Sequence, residues 1–169
     1  MATPSGSIDA QGNALATAFA EVERMALGRP GFRLFTVLAW DDARGALHRV
    51  HSSAPEAYPL GGEKFMPLDA PWIVQVVRER CPYLGRDAAG VAAVFSDHAL
   101  LTSLGCGAVV NVPVVDHDGT LGVLSLLDSP GAYDEASVSA ALPLAALSLP
   151  ALRAWHAASR PASPPERLP

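Results

Sequence analysis

Lysine is nearly absent from this chain. Lys64 is the only one among 12 Lys and Arg side chains, set against 17 Asp and Glu, for a net charge of −5 over 169 residues. The arginines form no basic stripe of the kind that tracks a phosphate backbone, which argues against a nucleic-acid partner. Cysteine is scarce too. Cys81 and Cys106 are the only two, and neither has a Cys-x-x-Cys or His-x-x-x-His companion, so no metal site is expected. His48 and His51 lie three apart on an extended segment and are expected on opposite faces. There is no P-loop, dinucleotide fingerprint or Gly-x-Ser-x-Gly elbow, and no internal repeat. Residues 1–7 lack the charged start and apolar core of a signal peptide. A cytoplasmic chain is expected, with both cysteines reduced and serving as small, semi-buried hydrophobes.

Half of the residues are hydrophobic, which supplies one sizeable core. The most apolar run, residues 138–155, is barely as long as the roughly 20 residues of a membrane span. Pro143 and Pro150 interrupt it. It reads as a helix buried on most sides by protein, with no membrane partner, and Pro143 is expected to kink it. Apolar positions Ile8, Leu15, Phe19, Val22 and Ala26 recur at helical spacing. Ser7 or Asp9 is a candidate cap, and Gly28 with Pro30 ends that helix.

Residues 31–40 and 46–53 read as two strands joined by the turn Asp41-Asp42-Ala43-Arg44-Gly45. Leu47, Arg49, His51 and Ser53 are expected on one face of the second strand. Residues 54–69 carry three prolines and Gly61-Gly62 and read as a loop. A helix follows from Asp69 to Arg80, then a short edge strand at Tyr83-Leu84. Asp97 opens a short helix ending at Gly105. Strands near 106–115 and 120–128 flank Asp116-His117-Asp118-Gly119, which has turn chemistry. Asp134 caps a long last helix. The order implies an α+β architecture: an antiparallel sheet with helices segregated to its faces. Residues 1–7 are expected to be a flexible N-terminus, 8–156 the domain, and 157–169 a Pro-rich disordered tail.

Taken together, several segments resemble bacterial stand-alone GAF domains. They are residues 53–62, Pro71-Trp72, Arg78-Glu79-Arg80, Asp97-His98, and above all Asn111-Val112-Pro113-Val114 with Leu121-Gly122-Val123-Leu124. The resemblance covers residues 8–156. It implies a GAF-like sheet of five to six antiparallel strands, with the terminal helices on one face. The middle helices and loops would enclose a small-molecule pocket on the other. It also implies a homodimer through the terminal helices. The excess apolar surface of the last helix, with Leu142, Leu144, Leu147, Leu149 and Leu152, independently calls for a second copy.

In the last two strands, Val109, Asn111 and Pro113 share a face with Leu121, Val123, Ser125 and Leu127. The opposite face, with Val110, Val112, Val114, Leu124 and Leu126, suits the terminal helices. Asn111 and Ser125 then point to the middle layer. Asn111 is expected either to bond a nearby loop backbone or to orient a ligand, since an unpaired buried amide costs about 1–3 kcal/mol. Tyr58 and Trp72 each join an apolar body to one polar handle, as a pocket wall or as core. Asp97 reads as an N-cap. His98 is a candidate donor to an anionic ligand. The candidate ligand-binding residues are thus Tyr58, Trp72, Asp97, His98, Asn111 and Ser125.

The function these features imply is a small-molecule-binding sensory or regulatory domain without catalysis; the ligand and any cofactor stay unknown. The alternative is an enzyme. Some small GAF proteins reduce free methionine sulfoxide with paired cysteines, and here only Cys81 and Cys106 could serve. The bilin-binding branch usually carries histidine after its chromophore cysteine. Pro82 and Gly107 stand there instead.

Overall fold

Alternating branched side chains and a tight turn make a long hairpin of β5 (Ala108–Asp116) and β6 (Gly119–Asp128). In this computed structural model, which describes residues 5–160, β6 pairs on its other edge with β1 (Leu34–Asp41). Outward from β1 lie β2 (Ala46–Ser52) and the short β3 (Glu63–Phe65); outward from β5 lies β4 (Tyr83–Gly85). The six-stranded order is β3-β2-β1-β6-β5-β4, with every pairing antiparallel.

Two long helices cover one face. α1 (Ser5–Gly28) packs on α4 (Glu135–Ser159), and α4 packs on β5 and β6. Asp134 caps α4 in a reciprocal box: its side chain accepts from the Ser137 backbone N–H, and Ser137 Oγ meets the Asp134 backbone N–H. Phe19, Val22 and Ala26 of α1 and Ala141, Leu144 and Leu152 of α4 are buried on Phe35, Val110, Val112, Leu124 and Leu126. Each fully buried Leu, Val or Phe contributes about 1.5–3 kcal/mol. Arg153 Nε on α4 donates to Asp116 Oδ2 at 2.7 Å and ties down the β5–β6 turn. That pairing holds the Asp116 carboxyl down to about 2.

The other face carries a middle layer: a π-helical segment (Ile73–Arg78), α2 (Ala88–Ala92), α3 (His98–Ser103) and their loops. Ile73, Val76, Val91, Phe95 and Leu101 pack there on Leu34, Leu47, Val109, Val123 and Leu127. The two-sided arrangement expected from the strand alternation is present.

Several local expectations change. α1 begins at Ser5, so residues 5–7 belong to it, and α4 runs on to Ser159, into the segment expected as tail. The side chains of Ser7 and Asp9, and residues 1–4 and 161–169, lie outside the described residues. α4 continues through Pro143 and Pro150. Only a third of its most apolar 18 residues is buried, not most of it, because the helix lays a single stripe on the sheet. By length and composition alone it could cross a membrane, with a mean hydropathy of 1.4. The helix expected to run to Arg80 widens into the π-helix after Trp72 and is followed by a left-handed Arg80, with φ 59°. The 54–69 loop contains β3, and α2 is an additional helix.

The larger correction concerns β-bulges. Val37 pairs with His51 and Leu38 with Arg49, which leaves Val50 without a partner on β1. The extra residue reverses the facing of everything after it. His48 and His51 therefore share the terminal-helix face. The His48 ring lies 5.4 Å from Trp155 and the His51 ring 5.9 Å from Phe19. His51 Nε2 is 2.6 Å from Glu23 Oε2 on α1. Arg49 faces away from His51, on the side of Leu47. A second bulge leaves Leu121 unpaired between the Val114–Gly122 and Val115–Thr120 pairs, and Leu121 packs with the terminal-helix cluster instead of beside Val123.

Gly122 marks the tightest point of this packing. A methyl group there would run into the Leu38 carbonyl oxygen, and would stand 2.9 Å from Leu152 Cδ1. Because the first obstacle is backbone of a central strand, it cannot swing aside. Gly122→Ala is expected to lower stability by about 3 kcal/mol through overpacking, read as a lower urea midpoint at unchanged slope.

Candidate functional site

Asn111 and Ser125 are cross-strand partners on the middle-layer face, and both are fully buried. Asn111 Nδ2 donates to Ser125 Oγ at 2.7 Å, and the Trp72 indole Nε1–H donates to Asn111 Oδ1 at 3.0 Å. The amide thus bonds neither a loop backbone nor an open space. It latches the middle layer to the sheet through side chains alone. Trp72, Asn111 and Ser125, expected as ligand contacts, satisfy one another and stand outside the cavity described next. His98 is exposed and stands outside the cavity described next.

Tyr58 and Asp97 do come together. They line a cavity of about 190 Å³ between β1, β2, β3 and the segment before α3. Leu38 and Leu47 supply apolar wall, with Thr36 beside them; Arg49, Glu63, Lys64 and Phe95 complete it. The backbone places these groups by simple rules. Leu47 pairs with Lys64 and His48 with Glu63, so the two-residue alternation turns Lys64 to the Leu47 side. The strap before β3 is pinned to β2 by Arg49 N–H to Gly62 O at 3.0 Å and Gly61 N–H to Arg49 O at 3.1 Å. Gly61 takes φ 77° there, a left-handed conformation suited to glycine.

Asp97 occupies the position preceding α3, but its side chain makes no capping bond, contrary to the expectation. Its carboxylate turns into the cavity instead. Tyr58 OH donates to Asp97 Oδ2 at 2.6 Å. Arg49 Nη2 lies 4.0 Å from that oxygen, and Lys64 Nζ lies 3.6 Å from Oδ1. Both cations rest on aromatic faces: Arg49 Cζ is 3.5 Å from the Tyr58 ring centre, and Lys64 Nζ is 4.7 Å from that of Phe95. Arg49 Nη1 donates to Pro59 O at 2.8 Å. Arg49 Nε and Asp97 Oδ1 are closed off from water and have no hydrogen-bond partner among the described residues. Glu63 is occupied on its outer side by a two-pronged bond from Arg44, at 2.9 and 3.1 Å.

Burial, reinforced by the hydrogen bond to Asp97, pushes the Tyr58 hydroxyl well above its ordinary range, so it stays a donor. Burial pulls the Lys64 ammonium down, partly offset by Asp97. Arg49, Lys64 and Phe95 were missed in the sequence. Lys64 had one visible signal, its being the sole lysine. Arg49 had another, its shared face with Leu47.

The chain has the GAF fold. A GAF domain of a two-component sensor histidine kinase from Bacillus halodurans superposes with a TM-score of 0.66 at 12% identity, covering 85% of this chain and 97% of that one. A GAF domain/HD domain protein from Geobacter sulfurreducens gives 0.64 at 15% identity, over 86% and 95%. The blue-light absorbing form of the PixJ GAF domain of Thermosynechococcus elongatus gives 0.63 at 20% identity, over 93% of each chain. No protein-family model matches the sequence, and no curated protein matches it.

The cysteines occupy unlike places. Cys81 is exposed rather than semi-buried, just after the left-handed Arg80. Cys106 is buried in the middle-layer cluster, which pushes its thiol up to about 11. Asp116, His117 and Asp118 bring their ligand atoms within 4.8 Å of one another at the exposed β5–β6 turn.

The latch and the cavity are separable. Asn111→Ala strands the Trp72 indole N–H in the interior and removes the Ser125 bond. A loss of about 2–4 kcal/mol is expected, measured by chemical denaturation. At temperatures where the variant stays folded, the cavity residues keep their places.

Proposed function

We propose that this protein is a ligand-sensing GAF domain. A small molecule enters the cavity under β3, no bond is made or broken, and two copies associate through α1 and α4. The observation that carries the reading is the cavity itself. It has apolar walls, a few convergent polar groups, and buried hydrogen-bonding atoms left without partners, a combination suited to a small-molecule site. The GAF domain of a sensor histidine kinase, the blue-light absorbing form of the PixJ GAF domain and a segment of a methyl-accepting chemotaxis protein superpose on this chain, which supports a signalling role.

The dimer reading rests on α4. Leu142 is 48% exposed and Leu147 51%, with Met25 and Leu27 exposed on neighbouring α1. Exposed apolar side chains on these paired helices are surface that a two-fold partner would cover.

Thermal-shift screening of the whole chain against small metabolites tests the sensor. A ligand bound only by the native state at 100 times its Kd stabilises by about 2.7 kcal/mol. At least one compound is expected to raise the Tm in a saturable way, and a library without any such compound would remove the reading. For the dimer, light scattering is expected to give twice the chain mass for the wild type and the single-chain mass for Leu147→Glu. A monomeric wild type would refute it.

A further inference from the structure

The charges around the cavity are unbalanced. Among the described residues Asp97 is the one carboxylate within 4.0 Å of the two cations Arg49 and Lys64; Glu63, which also lines the cavity, pairs with Arg44. Arg49 is only 16% exposed and its Nε has no partner among the described residues. In an acidic chain with one lysine, that lysine stands here. Two cations within 4.0 Å of one carboxylate leave donor capacity that Asp97 cannot fill. A planar guanidinium beside a three-donor ammonium matches a second carboxylate. Leu38, Leu47, Tyr58 and Phe95 ask for a compact apolar body attached to it. At about 190 Å³ the space lies below the roughly 300–1,000 Å³ of sites for drug-sized ligands.

We infer that the cavity binds a small organic monocarboxylate, its charge received between Arg49 and Lys64 and its apolar body against Leu38, Leu47 and the two rings. This deepens, and rests on, the sensor reading above. A neutral isostere leaves the cations unanswered. An amine isostere adds a third positive charge beside them, with a single carboxylate to share. Discrimination therefore follows from charge rather than shape.

The test is a matched panel on the whole chain: benzoate, benzamide and benzylamine, with isovalerate, isovaleramide and isoamylamine as aliphatic counterparts, read by thermal shift and calorimetry at fixed ionic strength. A carboxylate is expected to bind at least tenfold more tightly than its amide, and its amine not to bind. Arg49→Gln and Lys64→Gln are each expected to weaken the carboxylate tenfold or more. Arg24→Gln, on the outer surface of α1, is expected to leave it unchanged. Circular dichroism confirms that each variant is folded, and Lys64→Gln alone decides if Arg49→Gln is not. Amides or amines binding as well as carboxylates, or full affinity in the folded cavity variants, would overturn this inference and leave the sensor standing. Failure of every compound in the panel overturns it too; the sensor itself then falls only if the wider metabolite screen is also blank.

Discussion

Trp72, Asn111 and Ser125 solve the problem that every two-sided sheet poses. Burying both faces removes water from every polar group the strands carry inward, and an amide in that position must be paired or the layers do not close. Here the pairing crosses between layers: the indole comes from the helix entering the middle layer, the amide from β5, the hydroxyl from β6. An apolar residue at Asn111 would bury well but lose this tie, leaving the π-helical segment held to β6 by Thr120 Oγ1, which donates to Val77 O at 2.7 Å. The cavity lies apart from this latch, between β1, β2, β3 and the segment before α3.

The hairpin of β5 and β6 was plain in the sequence because two signals agreed there. Branched residues alternate across a turn made of Asp and Gly, and the alternation assigns each side chain to a layer. Asn111 and Ser125 were assigned to the correct face by that rule. The rule failed wherever an extra residue entered a strand. Val50 and Leu121 look like ordinary strand residues, and nothing in their type marks a bulge, yet each reverses its neighbours. β3 was hidden for another reason: three residues, Glu63-Lys64-Phe65, are too few to show a period. Asp97 misled because its type fits a cap and its use is tertiary. A side chain that prefers one local bond gave it up for Tyr58, which comes from 39 residues away.

The cavity is thus made of parts whose local chemistry is unremarkable. Its chemistry arises from adjacency. Stacking each cation on an aromatic ring holds the charge in place without a full complement of carboxylates. That matters because an isolated buried cation is costly. Arg44 holds the other carboxylate of the cavity wall, Glu63, in a two-pronged bond.

The Val50 bulge then acquires a meaning beyond register. Without it, Arg49 and His51 would share a face, and the cavity wall and the α1 contact would be alternatives along one strand. With it, Arg49 faces Asp97 and the rings while His51, two residues on, meets Glu23 of α1 at 2.6 Å. Three consecutive residues therefore span the sheet from the cavity to the helix layer. The bulged residue between them has no partner on β1 to fix it. Val50 itself packs with the terminal-helix cluster, so one residue of chain separates Arg49 at the cavity from His51 at α1.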